Sequence, residues 1–339
     1  MAPPSRLTKD VAAVAMVPFP EDRGARIAAI DVLRGAAIVA MVIYHAAFDL
    51  SARSLIAVDV IRDTGWVVFA RSIASTFLLL VGVGLVLATR RGLKFRPFLR
   101  RFGLIAGAAA LVSLVTWWVE PDAFVFFGIL HQIALASVLA LPFLRLPSAA
   151  VAVVAAVVVA LPYLYSSPVF DWPPLWWVGL SATMPVTVDY VPVFPWFGVV
   201  LFGIIIGRLL VTDFVDSPFA RWRPANHLGK TAVQAGRWSL AIYLIHQPIL
   251  YGLLWAASPF VKPDETVLQR NFMDQCAQAC HLQGRDDTTC NTFCGCMFTN
   301  LAGTDLMTVR SLKDLNGEQR ARWQGILRTC APPPQGADN

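Results

Sequence analysis

The chain has 339 residues, of which 56% are hydrophobic and only 15% charged, with a mean hydropathy of +0.58 and a formal net charge of +6. Soluble globular domains carry roughly 25% charged residues, so this composition excludes an ordinary water-soluble enzyme. The excess of positive charge sorts with loops on one side of a set of apolar runs, which argues for membrane topology and against a nucleic-acid partner.

Residues 1–25 form an N-terminal stub, expected on the cytoplasmic side. Its one apolar stretch, VAAVAMV, is short and is followed by PFPEDR in place of a small-residue cleavage site, so it does not read as a cleavable signal. Seven apolar runs come next, at about 28–50, 66–89, 102–119, 123–144, 147–165, 191–212 and 236–257, most of them near the ~20 residues that cross a hydrocarbon core about 30 Å thick. The expected fold is therefore all-α, a polytopic bundle of about seven transmembrane helices over residues 26–257.

Lys and Arg set the orientation. With the N-terminus cytoplasmic, that side collects sixteen, against only Arg53 and Arg62 in the short loops of the other. The sixteen are Arg6, Lys9, Arg23, Arg26, Arg90, Arg91, Lys94, Arg96, Arg100, Arg101, Arg145, Arg208, Arg221, Arg223, Lys230 and Arg237. An odd number of spans exports everything after residue 257. All six cysteines lie in that segment, and disulfides persist in oxidising compartments. Two unrelated signals thus predict a cytoplasmic N-terminus and a C-terminal segment exported to an oxidising compartment.

The exported segment changes character. Residues 258–331 are polar and cysteine-rich, and PPPQGADN closes the chain as a disordered tail over 332–339. Two C-x-x-x-C pairs put each pair of cysteines on one helix face. Two helices folded back through GRDD would be stapled by Cys276–Cys294 and Cys280–Cys290, leaving Cys296 for Cys330, as one of fifteen connectivities open to six cysteines. A domain this small has little core and needs such staples. CAQACH has three residues between its cysteines where c-type haem attachment has two, and only His281 is at hand to complete a zinc site, so neither metal nor haem is expected. The tail reads as structural or as a module for a protein partner.

The first apolar run, IDVLRGAAIVAMVIYHAAFDL, carries Asp31, Arg34, His45 and Asp49. With about 100° per helical residue, Arg34 falls near 300°, His45 near 320° and Asp49 near 0° relative to Asp31, one stripe roughly 60° wide. Charges at mid-bilayer cost about 2.5–3.5 kcal/mol each and face cavities or partners, so the stripe describes a wet path. Arg34 and His45 mark its ends, about 16 Å apart. The second run adds Arg71, Ser72, Ser75 and Thr76, with Arg71 at a depth to pair with Asp49. The bland alternative is a structural Asp31–Arg34 ion pair at the membrane surface, with His45 and Asp49 a structural i, i+4 pair. Two further intramembrane histidines are His131 in FGILHQIAL and His246 in SLAIYLIHQPIL; a bis-His haem would need them at matching depths, which leaves that reading open for this pair alone, as no second pair exists. Gly82 and Gly84 suit close helix packing.

Together these three stretches resemble bacterial relatives of heparan-α-glucosaminide N-acetyltransferase, in the wider group of multi-pass acyltransferases that includes the acyltransferase-3 proteins. The resemblance covers roughly residues 24–257 and leaves out the cysteine-rich segment. It implies an acyl, chiefly acetyl, group passed from cytoplasmic acyl-CoA to a hydroxyl or amine acceptor, a periplasmic sugar or glycoconjugate. There is one departure: the lysosomal enzyme has Asn where this chain has His45, with its catalytic His in the following loop, and here no His lies between 46 and 130.

The residues accommodate that chemistry. Asp31, Arg34 and the basic loop RRGLKFRPFLRR, with Arg90, Arg91, Arg100 and Arg101, would receive the anionic CoA. His45, a side chain whose ordinary pKa lies near neutrality, would act as base or acyl carrier, with Asp49 orienting it and Arg71, Ser75, His131 and His246 in support. The competing classes are a non-catalytic subunit or scaffold of a larger, for example respiratory, complex, and a transporter, although no internal repeat is evident.

Overall fold

A computed structural model describes residues 27–212, 222–261, 264–308 and 315–331. The N-terminal stub with Arg6, Lys9 and Arg23, the adjoining Arg26, the loop with Arg221, and the tail after 331 lie outside the described residues. The described chain is helical with no β-strand. It forms α1 (Ala28–Ala52), α2 (Thr64–Thr89), α3 (Phe95–Val119), α4 (Ile129–Leu139), α5 (Ser148–Leu164), α6 (Val193–Thr212), α7 (His227–Arg237), α8 (Ser239–Ala257), α9 (Glu265–His281), α10 (Asp287–Leu301) and α11 (Gly317–Cys330).

Five of these, α1, α2, α3, α6 over Val193–Val211, and α8, are long and apolar enough to cross a membrane, and the protein is a multi-pass membrane protein. The other two expected spans are shorter. α4 has 11 residues, about 16 Å of helix against a core about 30 Å thick. The apolar residues before it do not join the helix: Val188 donates its N–H to the Ala123 carbonyl at 3.0 Å and Val191 to the Phe127 carbonyl at 3.1 Å. Beyond Leu139, the Pro142–Leu144 stretch winds as a 3₁₀ turn. α5 has 17 residues.

Contacts divide the chain into two compact units, Met1–Val39 with Ile73–Ile242, and Ala40–Ser72 with Tyr243–Asn339. In the first, α5 and α6 bury Val151, Ala155, Val158, Phe197, Val200, Leu201 and Ile204. Glycines bring its helices together. A Cβ at Gly82 of α2 would run into the Val200 carbonyl, and one at Gly203 of α6 into the Leu79 carbonyl. Gly84, by contrast, meets only the Arg101 guanidinium, at 3.7 Å. The glycine of Asp-x-x-Arg-Gly has the same use. Gly35 lies against the Ala232 carbonyl of α7 and Gly236 against the Asp31 carbonyl of α1, so α7, an element the hydropathy profile does not announce, crosses α1 backbone to backbone.

The second unit holds the cysteine-rich segment. Its disulfides are Cys276–Cys294, Cys280–Cys290 and Cys296–Cys330. α9 and α10 turn back through Gly284, whose φ of +76° is the left-handed conformation glycine adopts without cost. A third helix, α11, was not evident from the cysteine spacing; it packs Trp323, Ile326 and Leu327 against Met297, Leu301, Leu306 and Leu315. Each helix starts on a side-chain cap: Asp264 accepts from the N–H of Thr266, Asp286 from that of Thr289 and Asn316 from that of Gln319. α9 is also fastened to the loop after α1. The Asp264 N–H donates to the Ser54 carbonyl at 3.1 Å, Asn271 donates to the Ser54 hydroxyl at 3.1 Å, and Arg62 donates to Gln278 at 3.0 Å.

Candidate active site

The N-terminal end of α1 carries an ion-pair cluster. Arg34 Nη1 lies 3.3 Å from Asp31 Oδ1, one helical turn away, and Arg237 of α7 lies 4.0 Å from Asp31 Oδ2. The structural Asp31–Arg34 pair weighed from the spacing is therefore present. Beside it a cavity of about 330 Å³ is lined by Asp31, Arg223, Lys230, Gln234 and Arg237. Arg223, Lys230 and Arg237 were legible only as topology signals, and α7 makes them part of a site. The basic loop after α2 divides: Arg101, with Lys94, borders a second, largely apolar cavity of about 190 Å³ with Leu85, Phe98, Phe102 and Ile105, whereas Arg90, Arg91 and Arg100 are exposed and line neither cavity.

The C-terminal half of α1 belongs to the second unit with α8, and there two of the intramembrane histidines meet. His45 Nδ1 lies 3.3 Å from His246 Nε2, with ring centroids 4.9 Å apart. His45 Nδ1 is also 3.0 Å from the Met41 carbonyl, and His246 Nδ1 is 2.7 Å from the Tyr243 carbonyl. A carbonyl only accepts. His246 Nδ1 must then carry a proton, and neutral His246 offers a lone pair at Nε2. His45 Nδ1, facing that lone pair and a carbonyl, carries the proton they share. The lone pair of neutral His45 is thereby placed on Nε2, which has no hydrogen-bond partner among the described residues. Tyr44 stands edge-on to the His45 ring at 5.6 Å, and Trp66 of α2 packs on Tyr44 at 6.2 Å.

Asp49 has a different partner from the one expected. Both of its carboxylate oxygens accept from Gln247 Nε2 at 3.1 Å, and the residue is 3% exposed. It bonds neither His45 nor Arg71, which is exposed. Gln247 escaped the sequence reading, although an amide inside SLAIYLIHQPIL is as unusual in an apolar span as the histidine beside it. Pro248 lacks the N–H that would serve the Leu244 carbonyl, and His246 and Gln247 occupy the turn just before it.

The remaining predicted site residues belong to the first unit. His131 is fully used there. The Gly128 N–H donates to its Nδ1 at 3.2 Å, and its Nε2 lies 3.1 Å from the Ser113 hydroxyl, which itself donates to the Val125 carbonyl at 2.5 Å. His131 thus locks the start of α4 to α3, and the partner of His246 is His45. Ser75 makes no side-chain hydrogen bond among the described residues. In the loop before α6, Tyr190 donates to the Trp176 carbonyl at 2.7 Å, and Phe126 packs on both rings.

Apolar spanning helices with a partly buried histidine pair and a cation-lined cavity define a polytopic membrane protein with room for chemistry in its helices. The chain matches the family model described as heparan-alpha-glucosaminide N-acetyltransferase, catalytic, over residues 26–248, and it belongs to that acetyltransferase family. Comparisons with curated proteins and with solved structures returned no match. The cysteine-rich segment lies outside the matched residues.

Proposed function

We propose that the protein transfers an acetyl group from acetyl-CoA to a hydroxyl or amine acceptor, and that His45 is the general base. The observation that carries this reading is the His45–His246 pair inside the family's catalytic region, which leaves the lone pair of His45 on Nε2. The acceptor gives its proton to that nitrogen as its oxygen or nitrogen attacks the thioester carbonyl. The carbon–sulfur bond then breaks, and the CoA sulfur takes the proton back from the imidazolium. General acid–base action of this kind contributes roughly 10²–10⁴-fold.

The anionic part of CoA has two candidate receivers, the cavity of Arg223, Lys230 and Arg237 and the loop with Lys94 and Arg101. Both fall on the cytoplasmic side of the topology that the Lys and Arg distribution supports, with the C-terminus periplasmic. A sugar amine or hydroxyl is the acceptor favoured by the family's description. Membrane lipid surrounds the spans, and the cysteine-rich domain is free to take a protein partner.

The test is purified protein in nanodiscs with labelled acetyl-CoA and glucosamine as probe acceptor. His45→Ala is expected to lose about 10²–10⁴-fold in turnover while acetyl-CoA binding persists. Acetyl transfer that survives His45→Ala would remove the base assigned here. A wild-type chain that neither binds acetyl-CoA nor transfers acetyl would favour a non-catalytic membrane subunit.

A further inference from the structure

We propose that His246 is a positioning residue for acetyl transfer, doing for His45 what a carboxylate does for the histidine of a hydrolase triad. This rests on the transfer reading above and adds a second residue to it. The role calls for a group that accepts from His45 Nδ1–H, fixes which ring nitrogen is bare, and stabilises the imidazolium formed when Nε2 takes a proton. Asp49 is the obvious carboxylate on the same helix face, but its oxygens are held by Gln247. The group that does face Nδ1 is His246 Nε2 at 3.3 Å, on a residue only 8% exposed.

The hydrogen bonds admit one neutral arrangement. If His246 carried its proton on Nε2, its bare Nδ1 would face the Tyr243 carbonyl at 2.7 Å, lone pair to lone pair. His45 Nδ1, as the matching acceptor, would then face the Met41 carbonyl bare at 3.0 Å. Two repulsive contacts in a water-poor setting are expensive, since an unmet buried polar group costs about 1–3 kcal/mol. Both protons therefore sit on Nδ1, each donated towards a carbonyl of its own helix. When His45 becomes cationic, its Nδ1–H strengthens as a donor, and the His246 lone pair is the uncharged acceptor in line to meet it. The Met41 carbonyl is already engaged in the helix, and His246 Nε2 is the second acceptor facing the same proton.

The experiment compares His246→Leu with His246→Gln in the full chain in nanodiscs, using acetyl-CoA and glucosamine. Gln keeps an acceptor at the reach of Nε2; Leu does not. His246→Leu is expected to lower kcat about 10²-fold, the low end of acid–base contributions, with KM for acetyl-CoA changed by less than about twofold, the signature of an interaction made in the transition state. His246→Gln should recover at least about tenfold of that loss. In nitrogen-15 NMR of histidine-labelled protein, His45 should show its proton on Nδ1, and His246→Leu should move the Nδ1 shift as one acceptor is lost, while the Met41 carbonyl keeps the proton on that nitrogen. Equal losses in Leu and Gln, or full kcat in Leu, would overturn the proposal. A wild-type His45 protonated on Nε2 would overturn it too, while leaving acetyl transfer itself intact. A chain that shows the Nδ1–H form but transfers nothing would instead sink the transfer reading, and the positioning role with it. Should His246→Leu fail to assemble, His246→Asn, too short to reach Nδ1, takes its place against Gln.

Discussion

The first unit, which takes in parts of α1 and α2 with α3–α7, and the cysteine-rich domain both pack helices, and they do it by opposite means. In the first, glycines at Gly35, Gly82, Gly203 and Gly236 let one backbone rest on another. In the second, three disulfides hold three short helices around a core of a few residues, led by Met297, Leu301 and Leu306. The difference follows the solvent. In lipid, apolar side chains gain nothing by leaving the surroundings, so close van der Waals packing through small residues provides the drive. In water the hydrophobic drive exists, but a domain of this size buries too little surface to live on it and takes covalent help.

The largest effect is expected where backbone meets backbone. Gly236→Val would drive a side chain into the Asp31 carbonyl, and Gly203→Val one into the Leu79 carbonyl. Neither neighbour is a flexible side chain that could swing away, so the cost should exceed the roughly 1–3 kcal/mol of ordinary overpacking. Monodisperse extraction in mild detergent should be lost. Gly84→Ala is the control, since its Cβ would touch only Arg101 at 3.7 Å. If Gly236→Val extracts as well as Gly84→Ala, the crossing of α7 on α1 does not carry the packing assigned to it.

Next comes the covalent framework. Intact mass should be six hydrogens short of the reduced chain, one pair for each of the three disulfides. Loop entropy ranks them: Cys296–Cys330 spans 34 residues and Cys280–Cys290 spans 10, so removing the former should cost about 1 kcal/mol more. Both replacements, Cys296→Ser with Cys330→Ser and Cys280→Ser with Cys290→Ser, should lower the melting temperature of α9–α11, read by hydrogen exchange. The apolar helices should stay assembled, because no cysteine lies among them. If the apolar helices melt with the tail, the two regions do not hold themselves by separate means.

What the residues disclose beforehand follows the reach of each signal. Helical period relates a residue to neighbours three and four away, and it places Asp31 by Arg34 and both cysteines of each C-x-x-x-C pair on one face. The bond from His45 to His246 crosses 201 positions and that from Gln247 to Asp49 crosses 198, beyond any local period. Asp49 therefore looked like the partner of His45 when its own partner was an amide on α8. Hydropathy misleads in its own way. DAFVFFG is apolar enough to extend a span, but hydropathy does not register that its backbone pairs with Val188 and Val191. α7 is missed for the converse reason, since HLGKTAVQAGR is polar, and its value lies in two small residues facing α1.

The smallest effect distinguishes the regions by acid. Among the groups exposed to water, hydrogen bonds from the Thr266 hydroxyl and from the N–H groups of Thr266 and Val267 hold Asp264 below the usual carboxylate range. The N–H and hydroxyl of Thr289 do the same for Asp286, and Gln319, then Arg322, for Asp305. A carboxylate depressed in the folded state binds its proton more readily in the unfolded one. Its contribution is therefore whole above the unfolded value, about 3.9, and drains away as pH falls through and below it. The cysteine-rich domain should thus be equally protected at pH 7 and pH 5.5 and lose protection below about pH 4. Hydrogen exchange on α9, α10 and α11, corrected for intrinsic rates, measures this. Asp286→Asn keeps an oxygen for the Thr289 N–H but cannot titrate, so it should flatten part of the acid loss in α10 while leaving α9, capped by Asp264, as sensitive as before. An acid profile unchanged by Asp286→Asn would mean that the caps on these helices act as hydrogen bonds alone, with no share for their charge.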